Sequence, residues 1–427
     1  MSQRIYHSTW SVLAGALAGI VLFAMGSISQ ASSLAWTKTG PVGESLGGGA
    51  CGGSDINGDG YNDVVAGSPG YANGGPNNAK GKVTIWSGRD GGATTLATLI
   101  GEKAGDGFGE SGGGAGDVNG DGVGDFVIGA SGWTQSYGKI YVYAGHATGN
   151  PTLLYSKDGK SLGLAKHVQF AELDTTPRSP GDFDGDGRDD FAAGAFGHSA
   201  GNGRVFVWSG ATGAQLFSAT GTIAGQLGFR MDFADVNNDG RSDLVVSENI
   251  ANANKGRVRV FLGPSGIEAP YSPINGENAG DRFGGSVATA GDFNADGYED
   301  IVVGAGAFGG SSTGKVYVYS GFNGLLLASV VGSAAGTLGQ RVDTAGDFNQ
   351  DGFSDIMTVS PNTKRFSVYT GPDLGGGVPY YTYTSSLIGF GRNLCHLGDT
   401  NGDLFPEALV GDPDSGSTNL FVFTGNP

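Results

Sequence analysis

The sequence predicts an all-β protein: a seven-bladed β-propeller with four antiparallel strands per blade, whose last blade is closed by an N-terminal strand. Three observations predict this fold. A nine-residue acidic window recurs seven times, short apolar or alternating runs follow each window, and 83 glycines punctuate those runs as turns between strands do. A period of about 50 residues indicates a repeat architecture, so the 427-residue length is a poor guide to domain number.

The windows occupy residues 55–63, 117–125, 182–190, 235–243, 292–300, 347–355 and 399–407. They read DINGDGYND, DVNGDGVGD, DFDGDGRDD, DVNNDGRSD, DFNADGYED, DFNQDGFSD and DTNGDLFPE. Successive windows start 52–65 residues apart, which sets one blade per window.

Four strand-like runs surround each window. A Phe-Gly or Leu-Gly element precedes the window, and an apolar run follows it, as in DVVAGSP at 63–69. An alternating run closed by glycine comes next, as in GKVTIWSG at 81–88, and then a weaker apolar run, as in TLATLIG at 95–101. Four short antiparallel strands in seven copies are typical of a propeller. The alternative, a β-solenoid, normally has a shorter repeat.

Residues 1–31 are predicted to be a cleaved secretory signal, and residues 32–427 a single propeller. The run from Ser11 to Met25 is apolar, and Ser29 and Ala31 fit a signal-peptidase site. A retained anchor is the alternative, but the run is shorter than the roughly 20 residues that span a bilayer. We therefore expect a secreted or extracytoplasmic chain, in periplasm, cell surface or medium, with no membrane span once processed.

The two ends of the repeat array complement each other. The seventh unit stops at NLFVFTG, residues 419–425, without a fourth strand, and SLAWTKTG, residues 33–40, precedes the first unit. A closed ring leaves no strand edge unpaired at its junction only if the first segment completes the last blade. The sequence thus predicts that Leu34–Thr39 forms the outer strand of blade seven.

The two cysteines, Cys51 and Cys395, each lie four residues before a window. This spacing predicts equivalent positions on the inner strands of the first and last blades, which are neighbours in a ring. In an oxidising compartment such a pair is a disulfide candidate. The alternative is two small buried thiols.

The acidic windows are predicted to bind Ca²⁺, at up to seven sites. Carboxylate or amide oxygens at positions one, three, five and nine and a backbone carbonyl at position seven form an all-oxygen ligand set, which favours Ca²⁺ over zinc. An EF-hand is excluded because position twelve is apolar or small, and hydrogen-bonded turns without metal are the alternative. The predicted ligands are Asp55, Asn57, Asp59, Tyr61 and Asp63; Asp117, Asn119, Asp121, Val123 and Asp125; Asp182, Asp184, Asp186, Arg188 and Asp190; Asp235, Asn237, Asp239, Arg241 and Asp243; Asp292, Asn294, Asp296, Tyr298 and Asp300; Asp347, Asn349, Asp351, Phe353 and Asp355; Asp399, Asn401, Asp403, Phe405 and Glu407.

The seven sites are not expected to be equal. The third window alone carries aspartate at all four of positions one, three, five and nine, whereas the seventh has Leu404 in place of glycine, followed by Pro406. A leucine at positive φ is costly, so the site at Asp399 is predicted to be the weakest. The windows also hold most of the acids behind the net charge of −17, and no nucleic-acid partner is expected.

Phe-Gly, the DxNxDG loop, Gly67-Ser68-Pro69 and GKVYVYSG together resemble the FG-GAP repeat of integrin α-subunit propellers, over essentially all of residues 33–427. The resemblance implies a seven-bladed propeller with Ca²⁺ in the loops that join strands one and two. It also implies ligand recognition on the opposite face. Integrins carry such loops in only some blades, whereas every unit has one here.

On that opposite face, the loops joining strands two and three carry a predicted ligand rim of Tyr71, Trp133, Tyr137, Phe196, His198 and Phe308. Exposed aromatics can stack on sugars or anchor a protein. The alternative is that these side chains pack on their own blades.

We expect a binding or adhesion module for an extracellular protein or polysaccharide, and not an enzyme. GHSAG at 197–201 matches a nucleophile-elbow pattern, but that motif needs a strand–turn–helix setting, and here it joins two predicted strands. One alternative is a polysaccharide lyase or hydrolase that uses acids near inner strands, such as Asp174 and Asp343. Another is a purely structural cell-surface component.

Overall fold

The computed structural model describes residues 33–41, 43–49, 51–72, 79–147, 149–164, 170–172, 181–310, 313–333, 335–413 and 418–425. Their strands form seven antiparallel sheets, six of four strands and one of five. The predicted all-β, seven-bladed propeller is confirmed. The predicted signal segment, residues 1–31, lies outside the described residues.

The strands are numbered in chain order, and each blade runs from its inner to its outer strand. Blade one holds β2 to β5 (Cys51–Ser54, Asp63–Ser68, Lys82–Trp86, Thr95–Ile100), and blade two holds β6 to β9 (Ser111–Gly116, Asp125–Ala130, Lys139–Ala144, Thr152–Asp158). Blade three holds β10 to β13 (Phe170–Glu172, Phe191–Ala195, Arg204–Trp208, Gln215–Thr220), and blade four β14 to β18 (Met231–Ala234, Asp243–Glu248, Arg257–Leu262, Ile267–Glu268, Ile274–Asn275). Blade five holds β19 to β22 (Ser286–Gly291, Asp300–Ala305, Lys315–Tyr319, Leu326–Val331), and blade six β23 to β26 (Arg341–Gly346, Asp355–Ser360, Arg365–Tyr369, Tyr381–Thr384). Blade seven holds β27 to β29 (Asn393–Gly398, Glu407–Asp412, Thr418–Thr424) and β1 (Ser33–Gly40).

The second strand of each blade is buried along its whole length, which explains why it reads as a continuous apolar run. Successive side chains of a strand point to opposite faces of its sheet. In β3, Val64 and Ala66 accordingly pack toward blade seven, and Val65 packs toward blade two.

Seven hydrophobic clusters fill the interfaces between neighbouring blades, one cluster to each interface. The cluster between blades seven and one contains Trp86, Leu397 and Val422. The core is therefore a ring of sheet-on-sheet contacts, and the first blade packs against the last.

The N-terminal strand closes the ring, as predicted. β1 pairs antiparallel with β29 from Ser33↔Thr424 to Gly40↔Thr418, and β1 is the outermost strand of blade seven. Trp36 packs against the cluster between blades seven and one. The structure thus joins the two ends of the repeat array within one sheet.

The outer edge of blade four departs from the four-strand pattern. Two short strands, β17 and β18, both pair with β16. Pro270 and Pro273 lie between them, and proline cannot donate the ladder hydrogen bond of a continuous strand. The outer strand is therefore split in two.

Helical turns connect strands two and three in blades two to four: α1 (Trp133–Ser136), α2 (His198–Gly201) and α3 (Ala251–Asn254). In α2, Ser199 and Ala200 have φ of 53° and 58°, so GHSAG forms a tight turn from β11 to β12. The strand–turn–helix setting of a nucleophile elbow is therefore missing at this serine. Within the described part of the chain, no helix is long and apolar enough to cross a membrane.

The inner-strand cysteines do not occupy equivalent sheet positions. Cys51 pairs with Ala66, whereas Cys395 pairs with Leu409, one step earlier in the equivalent second strand. A register shift between His396 and Gly398 in β27 causes the difference. Ala66 nevertheless lies in the same cluster as the buried Cys395, and the disulfide stays a prediction.

Candidate metal centres

Each acidic window folds into a tight loop between the first and second strands of its blade. In the first window, Asp55 Oδ1 accepts a hydrogen bond from the Asp59 amide at 2.9 Å, and Asp55 Oδ2 accepts one from the Gly60 amide at 2.8 Å. Asn57 Oδ1 also accepts from the Asp59 amide, at 2.9 Å. The side chains at positions one and three therefore wrap the backbone of positions five and six, as Asx turns do.

The carboxylate at position nine ties the loop to the rest of the blade. Asp63 Oδ2 accepts from the amides of Ile56 and Asn57 at 3.0 and 3.2 Å, and Oδ1 accepts from the Gly88 amide at 3.2 Å. Burial raises the pKa of Asp63 to about 7, although the hydrogen bond from Gly88 opposes the shift. This carboxylate thus anchors the loop from beneath.

The same anchor recurs around the ring. In windows two to six, the position-nine aspartate accepts a hydrogen bond, at 2.9–3.1 Å, from the amide of the glycine that lies one or two residues after the third strand. Burial raises the pKa of each of these aspartates to about 7. These anchors are Asp125, Asp190, Asp243, Asp300 and Asp355. A buried carboxylate is costly unless it is compensated, and backbone amides donate hydrogen bonds to each of these aspartates.

The third window brings its acids closest together. Carboxylate oxygens of Asp182, Asp184 and Asp190 all lie within 4.8 Å of one another. Burial, together with the charges of Asp186 and Asp182, raises the pKa of Asp184. The donors are all oxygens, which suits a hard cation such as Ca²⁺. This arrangement agrees with the expectation that the third window is the most strongly charged site.

The seventh window keeps its turn despite the missing glycine. Leu404 adopts φ 72°, with its side chain 79% exposed, and its amide donates to Asp399 Oδ2 at 3.0 Å. Glu407 reaches the start of the loop with its longer side chain and accepts from the Thr400 amide at 2.7 Å. The loop is formed, but a leucine is held in a conformation that favours glycine.

Position four of each window also has a left-handed backbone conformation, which the sequence pattern did not predict. Its φ lies between 53° and 80° in all seven windows. The residues are Gly58, Gly120, Gly185, Asn238, Ala295, Gln350 and Gly402. Glycine at four of these positions is the signal that could have revealed it.

Neighbouring loops contact each other through positions seven and four. A Cβ added to Gly120 would lie 2.9 Å from Nε of Arg188 in the next blade, and one added to Gly58 would lie 3.4 Å from Val123. Across the ring junction, a Cβ added to Gly402 would lie closer still to Cε1 of Tyr61. The position-seven amides donate to the position-five carboxylates, as from Tyr61 to Asp59 at 3.1 Å. The acidic loops therefore form a connected belt on one face.

The predicted rim residues are largely packed against their own blades. Trp133 lies edge-on to Tyr141, and Lys103 and Lys139 lie over its ring at 4.3 and 4.1 Å. Phe196 is buried, and Tyr71, Tyr137, His198 and Phe308 are partly buried. Burial and the adjacent Arg204 lower the pKa of His198.

Asp343, one of the two acids considered for catalysis, lies in an inner strand and is 2% exposed. Its Oδ1 accepts from the Thr344 amide at 2.8 Å, and its Oδ2 accepts from the His396 amide of the next blade at 2.9 Å. Asp232 makes the same link from blade four to Thr289 of blade five at 2.8 Å. Asp174 lies outside the described residues. Asp343 and Asp232 thus tie adjacent inner strands together.

The fold and its loops define a class, a seven-bladed propeller with an acidic loop in every blade. Comparison with known proteins adds that an FG-GAP repeat model matches residues 46–86, 108–143 and 283–319, and an FG-GAP-like repeat model matches residues 182–246. The chain therefore carries FG-GAP repeats and resembles integrin α-subunits.

The similarity to integrins covers about a third of the chain. Integrin alpha pat-2 of Caenorhabditis briggsae is 34% identical over 162 residues, which are 33% of this chain and 13% of that protein. Mouse integrin alpha-IIb is 33% identical over 165 residues, 34% of this chain and 16% of that protein. Chicken integrin alpha-V is 30% identical over 150 residues, 33% of this chain and 14% of that protein. The matched part therefore spans less than a fifth of these curated relatives.

Proposed function

We propose that this chain is an extracytoplasmic binding or adhesion module whose acidic loops hold Ca²⁺ as a structural ion. The single observation that carries the proposal is the belt of loops, because each loop is hydrogen-bonded to its neighbour and every blade contributes one. A cation in each loop would stabilise the belt as a whole, which leaves the opposite face for an extracellular protein or polysaccharide.

The residues present fit the ion. In each loop, carboxylate and amide oxygens at positions one, three and five lie above a buried carboxylate at position nine, and in the third window three of them already lie within 4.8 Å. The chemistry that Ca²⁺ would supply is charge compensation for the clustered acids. We assign it no part in a reaction.

Two residues that an enzyme could have used, Asp343 and Ser199, have contacts that do not favour catalysis. Both carboxylate oxygens of Asp343 accept backbone hydrogen bonds, which accounts for a buried acid at this position without catalysis. Ser199 lies in a tight turn between strands. The contacts of these residues favour binding without turnover.

Two measurements test the proposal. Metal analysis of the chain from residue 32, dialysed against millimolar Ca²⁺, is expected to find several ions per molecule, with a lower melting temperature after chelation. A screen against glycans and surface proteins is expected to find a ligand that is not consumed. Finding no bound metal would contradict the structural ion, and turnover of a glycan would contradict the binding role.

A further inference from the structure

A cavity of about 240 Å³ opens where blades four, five and six meet on the face opposite the acidic loops. It lies before the inner strands of these blades, whereas the acidic loops follow them. Its lining includes Phe229, Asn249, Arg282, Gln340 and Arg341. At this size it is smaller than the roughly 300–1,000 Å³ of pockets that enclose drug-sized ligands, so it suits one unit of a longer ligand.

The charged residues that line the cavity are both arginines, Arg282 and Arg341. No described acid lines it, although the whole chain carries a net charge of −17. Arg282 is exposed and forms no ion pair with any residue that the structure describes. The adjacent Asp281 is buried and accepts from the amide of Asn278 at 3.1 Å. Planar guanidinium groups bind carboxylate or sulfate oxygens in preference to neutral groups.

Asn249 is a buried polar residue in the wall of the cavity. It is 4% exposed, and its Oδ1, which is itself buried, has no hydrogen-bond partner among the described residues. A buried polar atom without a partner is unusual in a folded protein and costs free energy.

Phe229 adds an aromatic surface at the edge of the cavity. The ring is half-buried and held edge-on by Phe196, with centroids 5.3 Å apart and planes at 69°. The guanidinium of Arg230 lies 5.2 Å from its centroid. A fixed aromatic ring can pack against the apolar face of a sugar, and the acidic peptide is separated from the sugar by the test below.

We propose that this cavity binds one acidic sugar residue, carrying a carboxylate or a sulfate, of an extracellular polysaccharide. Arg282 and Arg341 pair with the anionic group, and Phe229 packs on the ring. This inference rests on the proposed binding function and specifies its ligand class.

The test measures binding of short oligosaccharides to the Ca²⁺-loaded chain from residue 32 by calorimetry, with calcium in excess. Probes are trigalacturonate for the carboxylate, a heparin tetrasaccharide for the sulfate, maltotriose as the neutral sugar and tetraglutamate as the acidic peptide. Binding of one or both acidic sugars, weakened by added salt, is the expected result. The stronger of the two identifies the anionic group.

Substitutions of single arginines test whether the acidic sugar binds at this cavity. Arg282→Gln is expected to weaken binding of the acidic sugar about tenfold. Arg341→Gln, at the same cavity, is also expected to weaken this binding. The matched control is Arg89→Gln, an exposed arginine in the turn between the third and fourth strands of blade one, which is expected to bind like the unaltered chain. Unaltered melting temperatures show that the variants are folded.

Five outcomes overturn the inference. Equal binding of tetraglutamate rejects the sugar, equal loss in Arg89→Gln rejects the cavity, and binding of maltotriose alone rejects the anionic group. If the wider ligand screen finds a partner that trigalacturonate and heparin fail to displace, this inference fails while the binding function stands. If the screen finds no partner at all, both fail.

Discussion

The carboxylate of Asp343 in blade six accepts a hydrogen bond from the backbone amide of His396 in blade seven, at 2.9 Å. The bond joins two inner strands that belong to different sheets, near the axis of the ring. Asp343 also accepts from the Thr344 amide, so its loss would leave two buried amides without their acceptor.

Asp343→Ala is therefore expected to destabilise the chain by about 1–3 kcal/mol, the cost of buried polar groups that lose their partner. The measurement is the midpoint of chemical denaturation with Ca²⁺ present. Asp373→Ala, which removes an exposed aspartate in a turn of the same blade, is the control and should leave the midpoint unchanged. An equal midpoint for both variants would show that the link between blades contributes nothing.

The ranking of the metal sites predicts unequal effects of one substitution at equivalent positions. Asp186→Asn removes a charge from the third window but keeps a side-chain oxygen. In the unaltered chain, Asp186 Oδ1 accepts a hydrogen bond from the Arg188 amide at 3.0 Å, and the asparagine oxygen can accept the same bond. Asp403→Asn does the same for Phe405 in the seventh window. At millimolar Ca²⁺, an extracellular-type site contributes about 0.4–1.4 kcal/mol.

We expect Asp186→Asn to lose a stabilisation of this size and Asp403→Asn to lose less. The readout is the rise in melting temperature on adding Ca²⁺ to chelated protein, compared between the two variants. A larger loss in Asp403→Asn would reverse the ranking. Equal losses would mean that Leu404 does not weaken the seventh site.

Removal of residues 33–40 is expected to expose the edge of β29, because β1 is its only partner on that side. An unpaired strand edge recruits other chains, so the truncated chain should melt at a lower temperature and form dimers or larger species in light scattering. A synthetic peptide of residues 33–40 should restore the monomer. A truncated chain that stays monomeric and equally stable would refute the role of β1.

The disulfide between Cys51 and Cys395 is expected to form when the chain is purified under oxidising conditions. Peptide mapping without reductant should recover the two cysteines in one cross-linked fragment, and reduction should lower stability by about 2–5 kcal/mol, since the bond closes a long loop. Cys395→Ser gives the same loss if the bond exists. Alkylation of both thiols in unfolded, unreduced protein would exclude it.

The fold could be predicted because the acidic window marks every blade and because the incomplete seventh unit needed Ser33–Gly40. Contacts between blades could not be predicted in the same way. The link from Asp343 to His396 depends on the relative height of two inner strands, which a single sequence does not encode in any local pattern. The one-step offset between Cys51 and Cys395 has the same origin, since it follows from a register shift near Gly398.

Within the candidate metal loops, the sequence predicted the positive φ of Leu404, and the oxygen ligands stay a prediction. It did not predict that position four is left-handed or that each loop contacts the next, because non-glycine residues at Asn238, Ala295 and Gln350 obscured the pattern. The split outer edge of blade four was also missed. Pro270 and Pro273 were the available signal there.

The pairing of β1 with β29 also sets the order in which the molecule can be completed. Thr39 and Asn419, which share a side-chain hydrogen bond, are 380 positions apart. During synthesis from the amino end, β1 therefore has no partner strand until Thr418–Thr424 has emerged. Contacts so remote in sequence form late in folding. The pairing of β1 with β29 is therefore expected to be a late step, after the sheets between them have formed.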